Sequence, residues 1–145
     1  MAVFIVLLTL LQVSSALYGP RLLIGEVGGS VTIKCIYPTI KANRYSRKYW
    51  CKISGPGSVC NSIISTSPFT STDHKERASI TDFPKNGTFT VQMTQLEQKD
   101  TGTYRCGIGR NNNVLFVSVN LTVLEGSNVP KSPDLELRGK DLYNL

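Results

Sequence analysis

The chain has 145 residues, of which 41% are hydrophobic and 18% are charged, and its formal net charge is +6. This composition allows one domain with a buried core, and it excludes both a multidomain enzyme and a disordered chain. A His-centred catalytic site would depend on His74 alone, because the sequence contains a single histidine. We expect a small binding domain that is not an enzyme and that has no cofactor and no metal site.

The first predicted element is an N-terminal signal peptide over residues 1–16. Residues 2–13 (AVFIVLLTLLQV) are mostly apolar but too short to span a bilayer comfortably. Small residues at 14–16 (SSA) suit signal peptidase and place the predicted cleavage between Ala16 and Leu17. Secretion would put the four cysteines in an oxidising compartment, where disulfides are the expected state.

Short predicted strands follow one another between residues 17 and 124, with turn signals between them and no run of helical period. Seven or more short strands in such a segment predict an antiparallel β-sandwich. The predicted strands cover residues 31–35, 48–53, 60–65, 78–80, 89–93, 103–108 and 115–123, the last with Leu115, Val117, Val119, Leu121 and Val123 on one face.

One constellation of residues makes the sandwich specific. Cys35 is followed by Trp50 and then by the segment 100–106 (DTGTYRC). Cys, Trp and Asp-x-Gly-x-Tyr-x-Cys form the framework of an immunoglobulin domain. In that framework Cys35 and Cys106 bridge the two sheets, Trp50 packs on the bridge, and Tyr104 forms a tyrosine corner. The Cys35–Cys106 bridge would close a loop of 71 residues, which stabilises a fold by roughly 4 kcal/mol.

The other two cysteines are predicted to form a second bridge. Side chains alternate along a strand, so Cys51 points away from the core if Trp50 points into it. Cys60 follows across the turn at 55–57 (GPG), where the next strand of the same sheet should run. A Cys51–Cys60 bridge would stabilise this hairpin by about 2–3 kcal/mol. A zinc site is not expected, because no C-x-x-C pair occurs.

Several motifs carry a resemblance to a receptor family. The segment 48–51 (KYWC), the extra bridge to Cys60 and the segment 106–109 (CGIG) resemble the variable-type domains of the polymeric immunoglobulin receptor group. This group includes the Fc receptor for IgA and IgM, whose Ig-like domain is the most similar, and the leukocyte mono-immunoglobulin-like receptors. The resemblance covers nearly all of residues 17–124. It implies a V-type sandwich, with Arg77 and Asp100 in a salt bridge at its base.

The positive charge is concentrated in one part of the chain. From Val27 to Thr72 there are six basic residues and no acidic one, whereas the remaining residues balance at ten of each. In the resembled receptors the first loop at the sandwich tip contacts the Fc region and joining chain of polymeric IgA and IgM. The second loop (67–70) and the third loop (110–113) would lie at the same end. The resemblance therefore implies ligand contacts at Asn43, Arg44, Tyr45, Arg47, Lys48, Phe69, Arg110 and Asn113.

The basic tip is compatible with other functions. A basic tip could bind anionic lipid head groups or a cell-surface protein, as in a mono-immunoglobulin-like receptor. It could also be a solvated loop without a function. Nucleic-acid binding is not expected despite a pI near 9.3, because no motif for it occurs and the compartment is wrong. His74 lies in the polar run 73–76, for which a solvated face is the ordinary interpretation.

Two N-glycosylation sequons and a polar C-terminal segment complete the sequence. Asn86 and Asn120 each begin an Asn-x-Thr triplet and are predicted to face solvent. Residues 125–145 hold seven charged side chains and two prolines, which predicts a flexible tail or a truncated stalk without a membrane span. We expect an extracellular chain, secreted as written, or at the plasma-membrane surface if it is a fragment of an anchored receptor.

Overall fold

Two packed β-sheets form the fold in a computed structural model that describes residues 17–126. The strand bounds follow the turn signals of the sequence. Within the described range the strands are β1 (Leu22–Glu26), β2 (Val31–Ile36), β3 (Lys48–Ser54), β4 (Val59–Ser65), β5 (Phe69–Thr70), β6 (Ala78–Phe83), β7 (Thr88–Met93), β8 (Gly102–Ile108) and β9 (Phe116–Leu124).

The larger sheet has six strands in the order β1-β9-β8-β3-β4-β5, and the smaller sheet has three in the order β2-β7-β6. Neighbouring strands are antiparallel except β1 and β9, which run parallel. One turn of helix, α1 (Lys41–Arg44), and two short 3-10 helices, Thr72–His74 and Gln98–Asp100, interrupt the loops. The predicted all-β immunoglobulin sandwich is confirmed. A four-residue helix is too short for a periodic sequence pattern to reveal.

Three strand predictions needed correction. β1 and β5 were not predicted, because each is short and pairs on one side only, which weakens the alternation of apolar and polar residues. Phe69 therefore lies in an edge strand and not in a tip loop. The last strand begins at Phe116, since Leu115 has a φ of 31° and is exposed.

The core lies between the sheets and is built around the first disulfide. Cys35 and Cys106 bridge the sheets with a Cα–Cα distance of 6.7 Å. Trp50 stacks on Tyr104 with ring centroids 4.8 Å apart, and its indole N–H points to Sδ of Met93 at 3.2 Å. All five side chains are completely buried. Val31, Ile33, Phe89 and Val91 extend this core along β2 and β7.

The second disulfide lies on the other side of the six-stranded sheet. Cys51 and Cys60 are joined with a Cα–Cα distance of 5.4 Å, which confirms the predicted pairing. Together with Tyr49 and Ile53 they form a small apolar cluster that is separate from the main core. This cluster stiffens the β3–β4 hairpin from its outer face. Within residues 17–126, no helix has the length and apolar character needed to cross a membrane.

A polar network closes the base of the sandwich, at the end opposite the β2–β3 loop. The hydroxyl of Tyr104 donates a hydrogen bond to the backbone oxygen of Asp100, as expected for a tyrosine corner. Nη1 of Arg77 lies 3.1 Å from Oδ2 of Asp100, so the implied salt bridge is confirmed. His74 is buried beside it, with Nδ1 2.7 Å from the Ser71 hydroxyl oxygen. The expectation of a solvated His74 was wrong, because the 3-10 turn folds its ring inward.

We predict that His74 makes the fold less stable in mild acid. Burial lowers the pKa of His74, and the positive charges of Arg77 and Lys52 lower it further. Asp100 and Asp73 act in the opposite direction but are outweighed. The unfolded chain, with an ordinary histidine pKa of about 6.5, then binds more protons than the folded chain below that pH. The free energy of unfolding should therefore decrease as the pH drops through 6.5. Below the pKa of His74 in the folded chain, titration of His74 should cause no further decrease.

Urea unfolding at pH 7.5 and 5.5 would measure this effect. The His74→Gln variant can keep a hydrogen bond to Ser71 but cannot titrate, so it should lose less stability between the two pH values than the wild type. Equal losses in the two proteins would contradict a role for His74.

Candidate ligand-binding surface

The first loop joins β2 to β3 and contains α1. Ile40 and Tyr45 are exposed on it, Tyr45 to 76%. Asn43 is buried instead, and its Nδ2 donates a hydrogen bond to the backbone oxygen of Pro38 at 3.0 Å. Asn43 therefore fixes the shape of the loop, and its side chain is not available at the surface.

Lys48 holds the same loop from inside and is completely buried. Its ammonium nitrogen lies 2.6 Å from Oδ2 of Asp82 and 2.9 Å from the backbone oxygen of Arg44. It also lies 4.8 Å from the ring centroid of Tyr37, whose hydroxyl donates to Oδ1 of Asp82 at 2.7 Å. Burial and this hydrogen bond raise the pKa of Tyr37. We call Lys48, Asp82 and Tyr37 the first-loop anchor.

Arg47 ties the first loop to the third. Its Nη1 donates to the backbone oxygen of Gly109 and its Nη2 to Oδ1 of Asn112, both at 3.0 Å. Its guanidinium lies 4.9 Å from the ring centroid of Tyr49. The Tyr49 hydroxyl donates to the backbone oxygen of Val114 at 2.6 Å, and burial raises its pKa to about 12. The two loops therefore form one rigid unit.

Asn112 joins the third loop to Arg47, β4 and β8, although it was not among the predicted ligand residues. Its Nδ2 donates to the Cys60 backbone oxygen at 2.8 Å and to the Ser62 hydroxyl at 2.9 Å. Its own backbone oxygen accepts from Arg105 at 2.8 Å. Three asparagines follow one another at 111–113, and no sequence pattern distinguishes the central one.

The predicted ligand residues do not all lie at one surface. Tyr45, Arg110 and Asn113 are exposed and Arg44 is half-buried. Phe69 is exposed elsewhere, in a groove between β5 and β6. Four of the eight predicted residues are therefore accessible on the tip loops, and the exposed Ile40 and Lys41 of the first loop lie beside Arg44 and Tyr45 in the chain. We call these six residues the tip surface: Ile40, Lys41, Arg44, Tyr45, Arg110 and Asn113.

The tip surface is cationic and has no compensating acid. Among residues 17–126, no ion pair joins Lys41, Arg44, Arg47 or Arg110 to a carboxylate. Such a surface attracts acidic partners and speeds their encounter. Tyrosine and arginine are also the side chains that most often carry binding energy at protein interfaces. The arrangement is therefore suited to an acidic protein surface.

The fold and this surface define a class of protein. The sequence profile of the immunoglobulin V-set domain matches residues 18–124. The chain belongs to the immunoglobulin V-set domain family, a class of binding domains and not of enzymes.

Two of the similar proteins are named as receptors for immunoglobulins. The chain is 48% identical over 113 residues to the high affinity immunoglobulin alpha and immunoglobulin mu Fc receptor of Mus musculus, covering 78% of this chain and 21% of that receptor. It is 43% identical over 118 residues to the polymeric immunoglobulin receptor of Equus asinus, covering 81% and 15% respectively. The chain thus spans about a fifth or less of these two receptors.

A solved structure shows the same architecture. The crystal structure of the first Ig domain of the mouse polymeric immunoglobulin receptor superposes with a TM-score of 0.72 at 39% identity. The match covers 80% of this chain and 97% of that domain. The resemblance noted from the KYWC and CGIG motifs is therefore confirmed.

Proposed function

We propose that this chain is an immunoglobulin-binding receptor domain whose tip surface contacts the Fc and joining-chain region of polymeric IgM and IgA. The observation that carries the proposal is the cationic tip surface with its exposed Tyr45, on a domain similar to receptors named for these immunoglobulins. Arg44 and Tyr45 are the central contacts, with Arg110 and Asn113 on the third loop beside them.

The internal bonding of the loops supports such a role. The first-loop anchor and Arg47 fix the first loop before a partner arrives. A loop that is already ordered loses less conformational entropy on binding, which strengthens the complex. Exposed charges also make the association rate sensitive to salt. Two further predicted residues, Asn43 and Lys48, would contribute indirectly by supporting the first loop. Phe69 would lie at the margin of the contact.

Surface-plasmon measurements with pentameric IgM and dimeric IgA test the proposal. The double variant Arg44→Ala/Tyr45→Ala should bind at least about tenfold more weakly, because hot-spot residues typically contribute well over 1 kcal/mol each. Its melting temperature should stay unchanged. The matched control is Lys34→Ala/Ile36→Ala, which removes one cation and one exposed apolar side chain from β2 on the other sheet.

Two results would count against the proposal. Binding of the double variant at wild-type strength would remove the tip surface from the contact. If the wild type binds neither immunoglobulin but binds phosphatidylserine vesicles, the lipid-binding alternative replaces the proposal.

We further propose that the chain is extracellular and carries N-glycans. Asn86 is exposed in the turn after β6, and Asn120 is exposed on β9, where its Oδ1 accepts a hydrogen bond from the Thr103 hydroxyl at 2.9 Å. Neither belongs to the tip surface. Mass spectrometry of the secreted chain before and after deglycosylation tests both sites. The predicted signal peptide (1–16) and most of the predicted tail (127–145) lie outside the described residues.

A further inference from the structure

The third loop encloses a cleft on the outer face of the six-stranded sheet. The cleft has a volume of about 430 Å³, within the usual size of small-ligand sites. Apart from Cys60 of the second disulfide, Val59 is its only apolar lining side chain. The cleft is therefore polar, with walls of serine, asparagine and arginine: Arg47, Ser58, Ser62, Arg110, Asn111, Asn112 and Asn113.

Two cations line this cleft, and a third shapes it. Arg47 and Arg110 are lining residues, and neither pairs with a carboxylate in the described part of the chain. Arg105 packs its guanidinium 4.1 Å from the Phe116 ring centroid and donates to Oδ1 of Asn113 at 3.0 Å. Arg47 and Arg105 donate to neutral oxygens, which fixes their positions while their charges stay uncompensated, and Arg110 is exposed at the edge of the cleft.

The chemistry of the lining identifies a ligand class. Arginine binds carboxylates through paired hydrogen bonds, and this geometry favours it over lysine. Asparagine and serine side chains both donate and accept hydrogen bonds, which suits the hydroxyl groups of a sugar ring. The near absence of apolar lining argues against a hydrophobic ligand.

We propose that this cleft binds a carboxylate-bearing sugar. Its carboxylate would lie between Arg47 and Arg110, and its hydroxyl groups would contact Ser58, Asn111 and Asn113. Burial lowers the pKa of Arg47, and a bound anion would offset that desolvation. The cleft shares Arg110 and Asn113 with the tip surface, but the proposal does not rest on immunoglobulin binding, because the central contacts Arg44 and Tyr45 are not part of the cleft.

An NMR titration of the ¹⁵N-labelled chain with 3′-sialyllactose, lactose and sodium sulfate tests this proposal without any immunoglobulin present. Saturable shift changes are expected at residues 58–62 and 110–113 with sialyllactose only. The Arg110→Ala variant should weaken this binding by at least about tenfold, as expected when one charge-assisted hydrogen bond is lost. Lys41→Ala is the matched control, since it removes one exposed cation outside the cleft.

Three results would overturn the proposal. Equal binding of lactose would show that the carboxylate is not recognised. If Lys41→Ala loses as much sugar affinity as Arg110→Ala, the loss would reflect the lower net charge and not a contact in the cleft. Displacement by sulfate at the same concentration would indicate an unspecific anion site only. Arg44→Ala/Tyr45→Ala should bind the sugar normally, which separates this proposal from the proposed function.

Discussion

Replacing Asp82 with alanine is expected to destabilise the domain by about 3 kcal/mol, because it leaves the buried ammonium group of Lys48 without its counter-charge. The Lys48 side chain is completely inaccessible, and Asp82 is its only charged partner in the described part of the chain. The Tyr37 hydroxyl loses its acceptor as well. Urea unfolding measures the free-energy change, and surface-plasmon binding to IgM should weaken in parallel because the first loop loses its support.

A second variant separates the loop-positioning role from stability. The triple variant Tyr37→Phe/Lys48→Met/Asp82→Leu replaces the ion pair and the tyrosine hydroxyl, which would otherwise lose its acceptor, with apolar groups of similar size. Such a change is often close to neutral for stability. The bond from Lys48 to the Arg44 backbone oxygen is still lost. We expect stability within about 1 kcal/mol of the wild type but weaker binding to IgM. Wild-type stability in Asp82→Ala would contradict the anchor itself.

Removing the disulfides is expected to have unequal effects. The Cys35–Cys106 bridge closes a separation of 71 residues and the Cys51–Cys60 bridge one of 9. The chain-entropy argument assigns them about 4 and about 2–3 kcal/mol. Cys35→Ala/Cys106→Ala should therefore lose more stability than Cys51→Ala/Cys60→Ala. The difference is increased because removal of the core disulfide also opens a gap beneath Trp50.

Equilibrium unfolding of both paired variants checks this order under identical conditions. The core disulfide variant should have the lower midpoint, and the outer variant should keep the wild-type core. A greater loss in the outer variant would show that the Cys51–Cys60 cluster contributes more than loop closure predicts.

The framework of the fold could be predicted because its spacing is tied to geometry. Cys35, Trp50, Tyr104 and Cys106 each occupy a position that only one type of side chain fills well in this sandwich. Alternation along β3 predicted in the same way that Cys51 faces outward. Both kinds of inference use local spacing, which the sequence displays directly.

The site could be predicted only in part, because the distribution of charged residues along the sequence does not show whether each side chain points to solvent or into the fold. Lys48 contributes to the basic segment of the sequence, yet its partner Asp82 is 34 residues away and turns the side chain inward. Asn43 and His74 are likewise polar in the sequence but buried by contacts with neighbouring turns. The role of Asn112 depends on the approach of β4, which no local pattern encodes.

Hydrogen–deuterium exchange of the chain, free and bound to pentameric IgM, shows directly which loops contact the immunoglobulin. Binding through the tip surface should slow exchange in residues 40–47 and 109–115, with no change in β6 and β7. Slower exchange confined to β6 and β7, or to the groove beside Phe69, would contradict binding through the tip surface.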